Sequence, residues 1–174
     1  MTDPSGDARH SPLPGIVHRY PDRLLLTPVR ICPVYCRFCF RRETVGQKGD
    51  GSLSASELDA ALDYIAGHEE AWEVILSGGD PLMVSDRKLA KLISGLNSIP
   101  HIGVLRIHSR LLSVLPERVS EAFIDTLRQF RGQTVFVTHI NHPNEISSRN
   151  RAVFSRLAGE GYKLFNQSVL LKHV

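Results

Sequence analysis

Three cysteines, Cys32, Cys36 and Cys39, are the only cysteines of this 174-residue chain, and all lie within eight residues. An odd, clustered set is a poor disulfide framework and points to metal or redox chemistry. In Cys32-Pro-Val-Tyr-Cys36-Arg-Phe-Cys39 the thiols stand four and three residues apart. A single loop of that spacing can wrap one corner of an iron–sulfur cubane, each sulfur binding its own iron. A fourth protein thiolate is missing, which leaves one iron with the open position that catalytic metal sites use for substrate. The competing chemistry is a structural zinc site with His139 or His142 as fourth ligand. Against it, zinc ligands usually come as Cys-x2-Cys with a second pair further along.

Other polar groups recur in short motifs. Ser77-Gly78-Gly79-Asp80 follows an apolar β-rich run, and its glycines let the backbone come close to a ligand; standing alone, the motif reads as an ordinary strand-to-helix turn. Ser109 and Arg110 end a further run, and His139, Asn141, His142 and Asn144 end the next, so these groups form a candidate polar pocket. Arg41 and Arg42 follow the cysteines directly, in positions where solvated surface arginines are the ordinary expectation. His18-Arg19-Tyr20-Pro21-Asp22-Arg23 reads as a turn before the first strand.

The elements that must position these residues alternate in type. Apolar strand-like runs are expected at 23–29, 73–76, 102–107, 134–138 and 163–171. Helical periodicity is expected at 54–67, with Ser54 or Ser56 as cap, from Ser85 and Asp86 through Leu96, and at 117–130 and 147–158. Strands alternating with helices imply parallel βαβ units and an α/β fold, with chemistry on the loops after the C-terminal strand ends. The cysteines, SGGD, HSR and HINHPNE all fall at such ends. The polar, Pro- and Gly-containing segment 1–13 reads as a loop or frayed end preceding one core domain, 14–174. With 42% hydrophobic and 22% charged residues and a net charge of +3, the composition is that of a globular protein. It gives no reason to expect a nucleic-acid or membrane partner. No apolar run reaches membrane-spanning length and no secretory leader opens the chain, so a cytoplasmic location is expected.

The segments PGIVHRYPDRLLL, CPVYCRFCFRR, ILSGGDPLMVSD, IPHIGVLRIHSR, VLPERV, THINHPNEI and NQSVLL, in this order, resemble the lysine 2,3-aminomutase family of radical S-adenosylmethionine (SAM) enzymes from about Pro14 to the last residues. The resemblance implies a partial (βα)6 barrel with about five parallel strands. It implies a [4Fe–4S] cluster on Cys32, Cys36 and Cys39, with SAM on the fourth iron, and pyridoxal 5′-phosphate (PLP). The activity implied is an isomerase that moves the α-amino group of L-lysine to the β-carbon. Variants acting on a lysine of elongation factor P, or on glutamate, stay open, as does a non-enzymatic binding module stabilised by zinc or a cluster. By resemblance, Ser77, Gly78, Gly79 and Asp80 approach SAM, together with Ser109, Arg110, His139 and Gln167. Arg41 grips the substrate carboxylate, and Arg19, Tyr20 and Arg23 lie against the PLP phosphate. The partners implied are a free amino acid, a one-electron reductant of the flavodoxin or ferredoxin type, and copies of itself at full length. The family's PLP lysine has no counterpart at Lys48, Lys88, Lys91, Lys163 or Lys172. The chain is therefore expected to be a fragment that is inactive alone and holds no PLP covalently, with an open sheet edge prone to aggregation.

Overall fold

The structure, a computed structural model, describes residues 3–46, 51–170 and 172; Lys48 lies outside them. Strands β1 (Ile16–Tyr20) and β2 (Arg23–Leu26) form an antiparallel hairpin. From β2 the sheet continues in parallel through β3 (Glu73–Leu76), β4 (Val104–Ser109), β5 (Gln133–Thr138) and β6 (Lys163–Asn166), each beside its predecessor. The crossovers carry α1 (Ala55–Ala66), α2 (Asp86–Asn97), the single turn α3 (Leu111–Val114) with α4 (Glu121–Arg128), and α5 (Ser148–Gly159). When strand order follows chain order, right-handed crossovers put every helix on the same face. The result is the curved, one-sided layering of a partial βα barrel.

The convex face is the core. Leu26, Leu76, Ile107 and Phe136 stand in one register row, all at most 1% exposed. They pack under Leu58, Ala61 and Ile65 of α1, Leu89, Leu92, Ile93 and Leu96 of α2, and Phe123, Ile124 and Leu127 of α4. The alternate residues point to the concave face, since successive strand side chains alternate. At its floor the buried Glu73 accepts from Arg106 at 2.6 and 2.8 Å and faces Arg23 at 3.8 Å.

Five parallel strands agree with the sequence expectation; the sixth strand, β1, does not. Residues 16–20 pair as a strand, so the turn read at 18–23 shrinks to Pro21-Asp22. The strand expected to reach Val29 leaves the ladder at Leu26, two residues before Pro28, which has no N–H to donate. β4 starts two residues later than expected and carries His108 and Ser109 within the strand. The helix expected from Glu117 is broken, because a 3-10 turn at Pro116–Arg118 precedes α4, which Ser120 caps. Segment 1–13 is not simply frayed: Asp7–His10 form a 3-10 turn. Among the described residues no helix is long and apolar enough to cross a membrane.

Candidate cluster site

The cysteine loop is anchored by a short stem, residues 29–31, beyond the end of β2. On one side Arg30 N donates to Gly51 O and Gly46 N donates to Arg30 O (2.7 and 2.9 Å). On the other, Gly79 N donates to Val29 O and Asp80 N to Ile31 O (3.0 and 2.8 Å), so the Ser-Gly-Gly-Asp motif runs alongside the stem. A Cβ on Gly79 would lie 2.5 Å from Ile31 N and O, and one on Gly78, whose φ is +115°, would lie 2.1 Å from the Thr27 side chain. The close approach is therefore within the chain itself, Gly79 to the cysteine-loop stem and Gly78 to Thr27 just before it.

All three cysteines are free and partly exposed, and Cys39 N donates to Cys36 O at 3.0 Å in the turn between them. Burial, with the Asp80 charge beside it, pushes the Cys32 thiol up to about 11; the Asp80 N–H works the other way. Burial also raises Cys36, opposed by Arg110. Bare, the Cys32 and Cys36 thiols hold their protons at neutral pH, and a bound metal must supply the charge that makes them thiolates. Among the described residues no three His, Cys, Asp or Glu side chains converge on one metal ion. A cubane does not ask for that, since each cysteine binds a different iron. The zinc alternative does ask for it, and among the described residues neither of its histidines converges with the cysteines. His142 Nδ1 accepts from Asn144 N at 3.1 Å, and the His139 ring stacks on Phe38, 5.2 Å between centroids. The donor set fits a cluster with one open iron better than it fits zinc.

A hydrogen-bonded network joins the strand ends beyond the cysteines. Asp80, 4% exposed, accepts from Leu82 N and Ser109 Oγ on Oδ1 and from Arg110 N and Leu111 N on Oδ2. Burial raises its pKa, and those four bonds act against the rise. Arg110 in turn donates to His139 O and pairs with Glu145 at 2.8 Å. Glu145 also accepts from Asn141 N and His142 N. Asn166 ties the end of β6 to the loop after β5, accepting from Thr138 Oγ1 and Ile140 N and donating to Ile140 O. Burial, and then Arg110, lowers the pKa of His139, whose Nε2 is buried with no protein partner. Gln167 is exposed, with its backbone N–H on Thr138 O.

The expected anion-binding residues divide. Arg41 reaches Ser77 Oγ at 3.5 Å and Asp7 at 3.2 Å, and the same Asp7 lies 3.5 Å from Arg19. Arg23 instead opens β2, pairing with Asp22 and Glu73. It lies about 10 Å of strand from the cysteine end. Tyr20, 58% exposed, sits opposite it. Arg42 folds back onto Cys39 O at 3.2 Å. Two cavities flank the cysteine loop. One of about 580 Å³ is lined by Asp7, Thr27, Arg30, Phe40, Arg41 and Gly78 among others. The other, of about 640 Å³, includes Tyr35, Cys36, Phe38, Arg110, Asn141 and Glu145. No lysine is among the described residues lining the first; Lys172 borders the second.

Sequence reasoning did not single out Asp7, Glu145 or Asn166, whose roles depend on partners 12 to 35 residues away. The only local signal was the presence of Glu145 and Asn166 inside motifs chosen for their neighbours.

A family model of the radical SAM superfamily matches residues 26–161. The chain is 47% identical over 173 residues to the L-lysine 2,3-aminomutase of Haemophilus influenzae, a match covering 99% of this chain and 51% of that protein. It is 42% identical over 174 residues to the L-lysine 2,3-aminomutase of Clostridium subterminale, covering 100% and 41%. Against the glutamate 2,3-aminomutase of Clostridioides difficile the identity is 36% over 173 residues, covering 99% and 40%. The chain thus spans about half, or less, of the length of these curated relatives.

Proposed function

The chain belongs to the radical SAM superfamily, and from that premise we propose that it is the cluster- and SAM-binding part of a 2,3-aminomutase that converts L-lysine to β-lysine. The observation that carries the reading is the cysteine loop at the end of the first parallel strand, its stem hydrogen-bonded to Ser-Gly-Gly-Asp at the end of the next. Lysine rather than glutamate is supported by the higher identity to the lysine enzymes, 47% and 42% against 36%.

The superfamily implies a [4Fe–4S] cluster and SAM. Cys32, Cys36 and Cys39 would each bind one iron and leave the fourth for SAM. When bound, the reduced cluster supplies the electron that cleaves SAM to a radical able to remove a substrate hydrogen. The chain's own part is positioning. The Ser77–Gly79 backbone, with Arg110, His139 and Gln167, forms the rim where SAM is held. Asp80 and Ser109 act one step behind, because their side-chain oxygens are already engaged within the protein. Arg41, beside the 580 Å³ cavity, holds the substrate carboxylate.

For PLP the described residues fit only in part. Arg19 offers a guanidinium to a phosphate, with Tyr20 and Arg23 further along the hairpin, but no described lysine lines the cavity beside Arg41. PLP chemistry is thus part of the proposal through the family resemblance alone. A flavodoxin- or ferredoxin-type reductant, self-association at full length and a cytoplasmic setting, where an oxygen-labile cluster survives, complete the reading.

Anaerobic reconstitution with iron and sulfide, followed by EPR of the reduced protein with and without SAM, tests it. The expected result is a cluster signal that SAM alters and that Cys36→Ala abolishes. A colourless zinc protein, or a spectrum indifferent to SAM, would overturn the reading.

A further inference from the structure

The N-terminal turn places one carboxylate between two of the arginines discussed above. Asp7 Oδ1 lies 3.5 Å from Arg19 and Oδ2 lies 3.2 Å from Arg41, with Asp7 and Arg41 partly buried and Arg19 exposed. Arg41 is oriented further by the Phe40 ring, 4.5 Å beneath its guanidinium, and by Ser77 Oγ at 3.5 Å. Arg19 also donates to Ser5 O, two residues before Asp7. The turn is held by Asp3, which accepts from Asp7 N at 3.0 Å and Ala8 N at 3.1 Å.

Two features mark this contact as made to be broken. Each Asp7–Arg contact is single and longer than the roughly 2.7–2.9 Å of a strong charge-assisted bond, and neither is a bidentate fork. The turn Asp7–His10 buries none of its residues, so lifting it costs little packing, as expected of a locally weak element. Asp7 nevertheless lines the cavity that Arg41 borders. A second anion on Arg41 would stand close to the Asp7 charge, and like charges at that range disfavour each other.

We propose that Asp7 is an internal carboxylate occupying the anion seat of Arg19 and Arg41, and that an external carboxylate or phosphate displaces it and releases the turn. The proposal rests on the reading of these two arginines as anion-binding residues. Displacement makes the empty site self-neutralising and couples ligand entry to movement of the N-terminal segment over the cavity.

The test uses the whole chain and two probes, L-lysine as the carboxylate source and pyridoxine 5′-phosphate, which has no aldehyde to react with lysines, as the phosphate source. Asp7→Asn keeps the side chain's size and removes its charge. Calorimetric titration is expected to show both probes binding roughly three- to tenfold more tightly to Asp7→Asn than to the unaltered chain. Hydrogen exchange of the Asp7 and Ala8 amides in the unaltered chain is expected to quicken when either probe binds. Arg41→Gln and Arg19→Gln check the underlying reading, the first expected to abolish L-lysine binding and the second pyridoxine 5′-phosphate binding. If these arginine variants change neither affinity, the anion-site reading itself fails. If they weaken binding while Asp7→Asn leaves it unchanged or weaker, the arginines stand and displacement by Asp7 is refuted. Slower exchange of the turn on ligand binding, or no binding to either Asp7 form, also counts against displacement.

Discussion

Asp80 shows how much one side chain can hold together in this molecule. Its two oxygens accept four hydrogen bonds, from the turn after β3, the last residue of β4 and the turn beyond it, at 4% exposure. Asp80→Asn would turn an amide donor towards the Arg110 and Leu111 N–H groups, so a loss of about 3 kcal/mol is expected in urea unfolding. Ser109→Ala, which removes one donor to the carboxylate, should cost about 1 kcal/mol in the same measurement. His108, on the concave face, is a second such residue. Burial, then Arg106, pushes its pKa down to about 4 from 6.5, against the opposing influence of Gln167. The folded protein thus binds fewer protons than the unfolded chain between these values. Stability from this group is complete above about pH 6.5 and is lost as pH falls towards 4. Thermal unfolding across that range should show the decline, and His108→Gln should flatten it.

The elements owe their limits to short polar caps. Ser54 and Glu57 form a reciprocal box at the start of α1, Ser85 caps α2, and Ser147 with Asn150 opens α5. The N-terminal turn uses an acidic version of the same device. The Ala8 N–H, and with it those of Asp7 and Gly6, holds the Asp3 carboxyl below its ordinary 3.8. A depressed carboxyl supports the turn above that value and withdraws support as pH falls through its lowered pKa. The protection of the Asp7 and Ala8 amides, measured by NMR relative to intrinsic exchange at each pH, should therefore hold at neutral pH and fall in acid. Asp3→Ala should remove that protection at every pH.

For the whole molecule the decisive feature is a sheet with two different edges. β1 closes one side by reversing direction, while β6 pairs only with β5 among the described residues. Phe165 on β6 is 61% exposed, and Leu170 just beyond it 98%. An exposed apolar parallel edge is a template for another chain. The 174-residue chain is expected to self-associate in a concentration-dependent way, measured by light scattering. Phe165→Lys should shift it towards monomer, whereas a substitution at exposed Trp72, 45% exposed at the other end of the strands, should not.

The sequence by itself determined the alternation of elements, the five parallel strands, the Ser54 cap of α1 and the cysteine loop. These are local quantities, set by periodicity over a few residues, by cap chemistry, and by thiol spacing within one loop. The resemblance carried by the ordered motifs likewise led to the superfamily, because a motif is also local. The tertiary structure alone decided that 16–20 is a strand rather than a turn, since β1 exists through its pairing with β2. It decided that Gly79 serves the cysteine-loop stem and Gly78 the approach of Thr27, and that Asp80 and Ser109 face each other across 29 residues of chain. It also separated Arg19 from Arg23, which stand four residues apart in one motif. One reaches Asp7 beside Arg41 and the other the ionic floor at Glu73. A hairpin turn and a strand register send neighbouring side chains to different partners, and no local pattern records which.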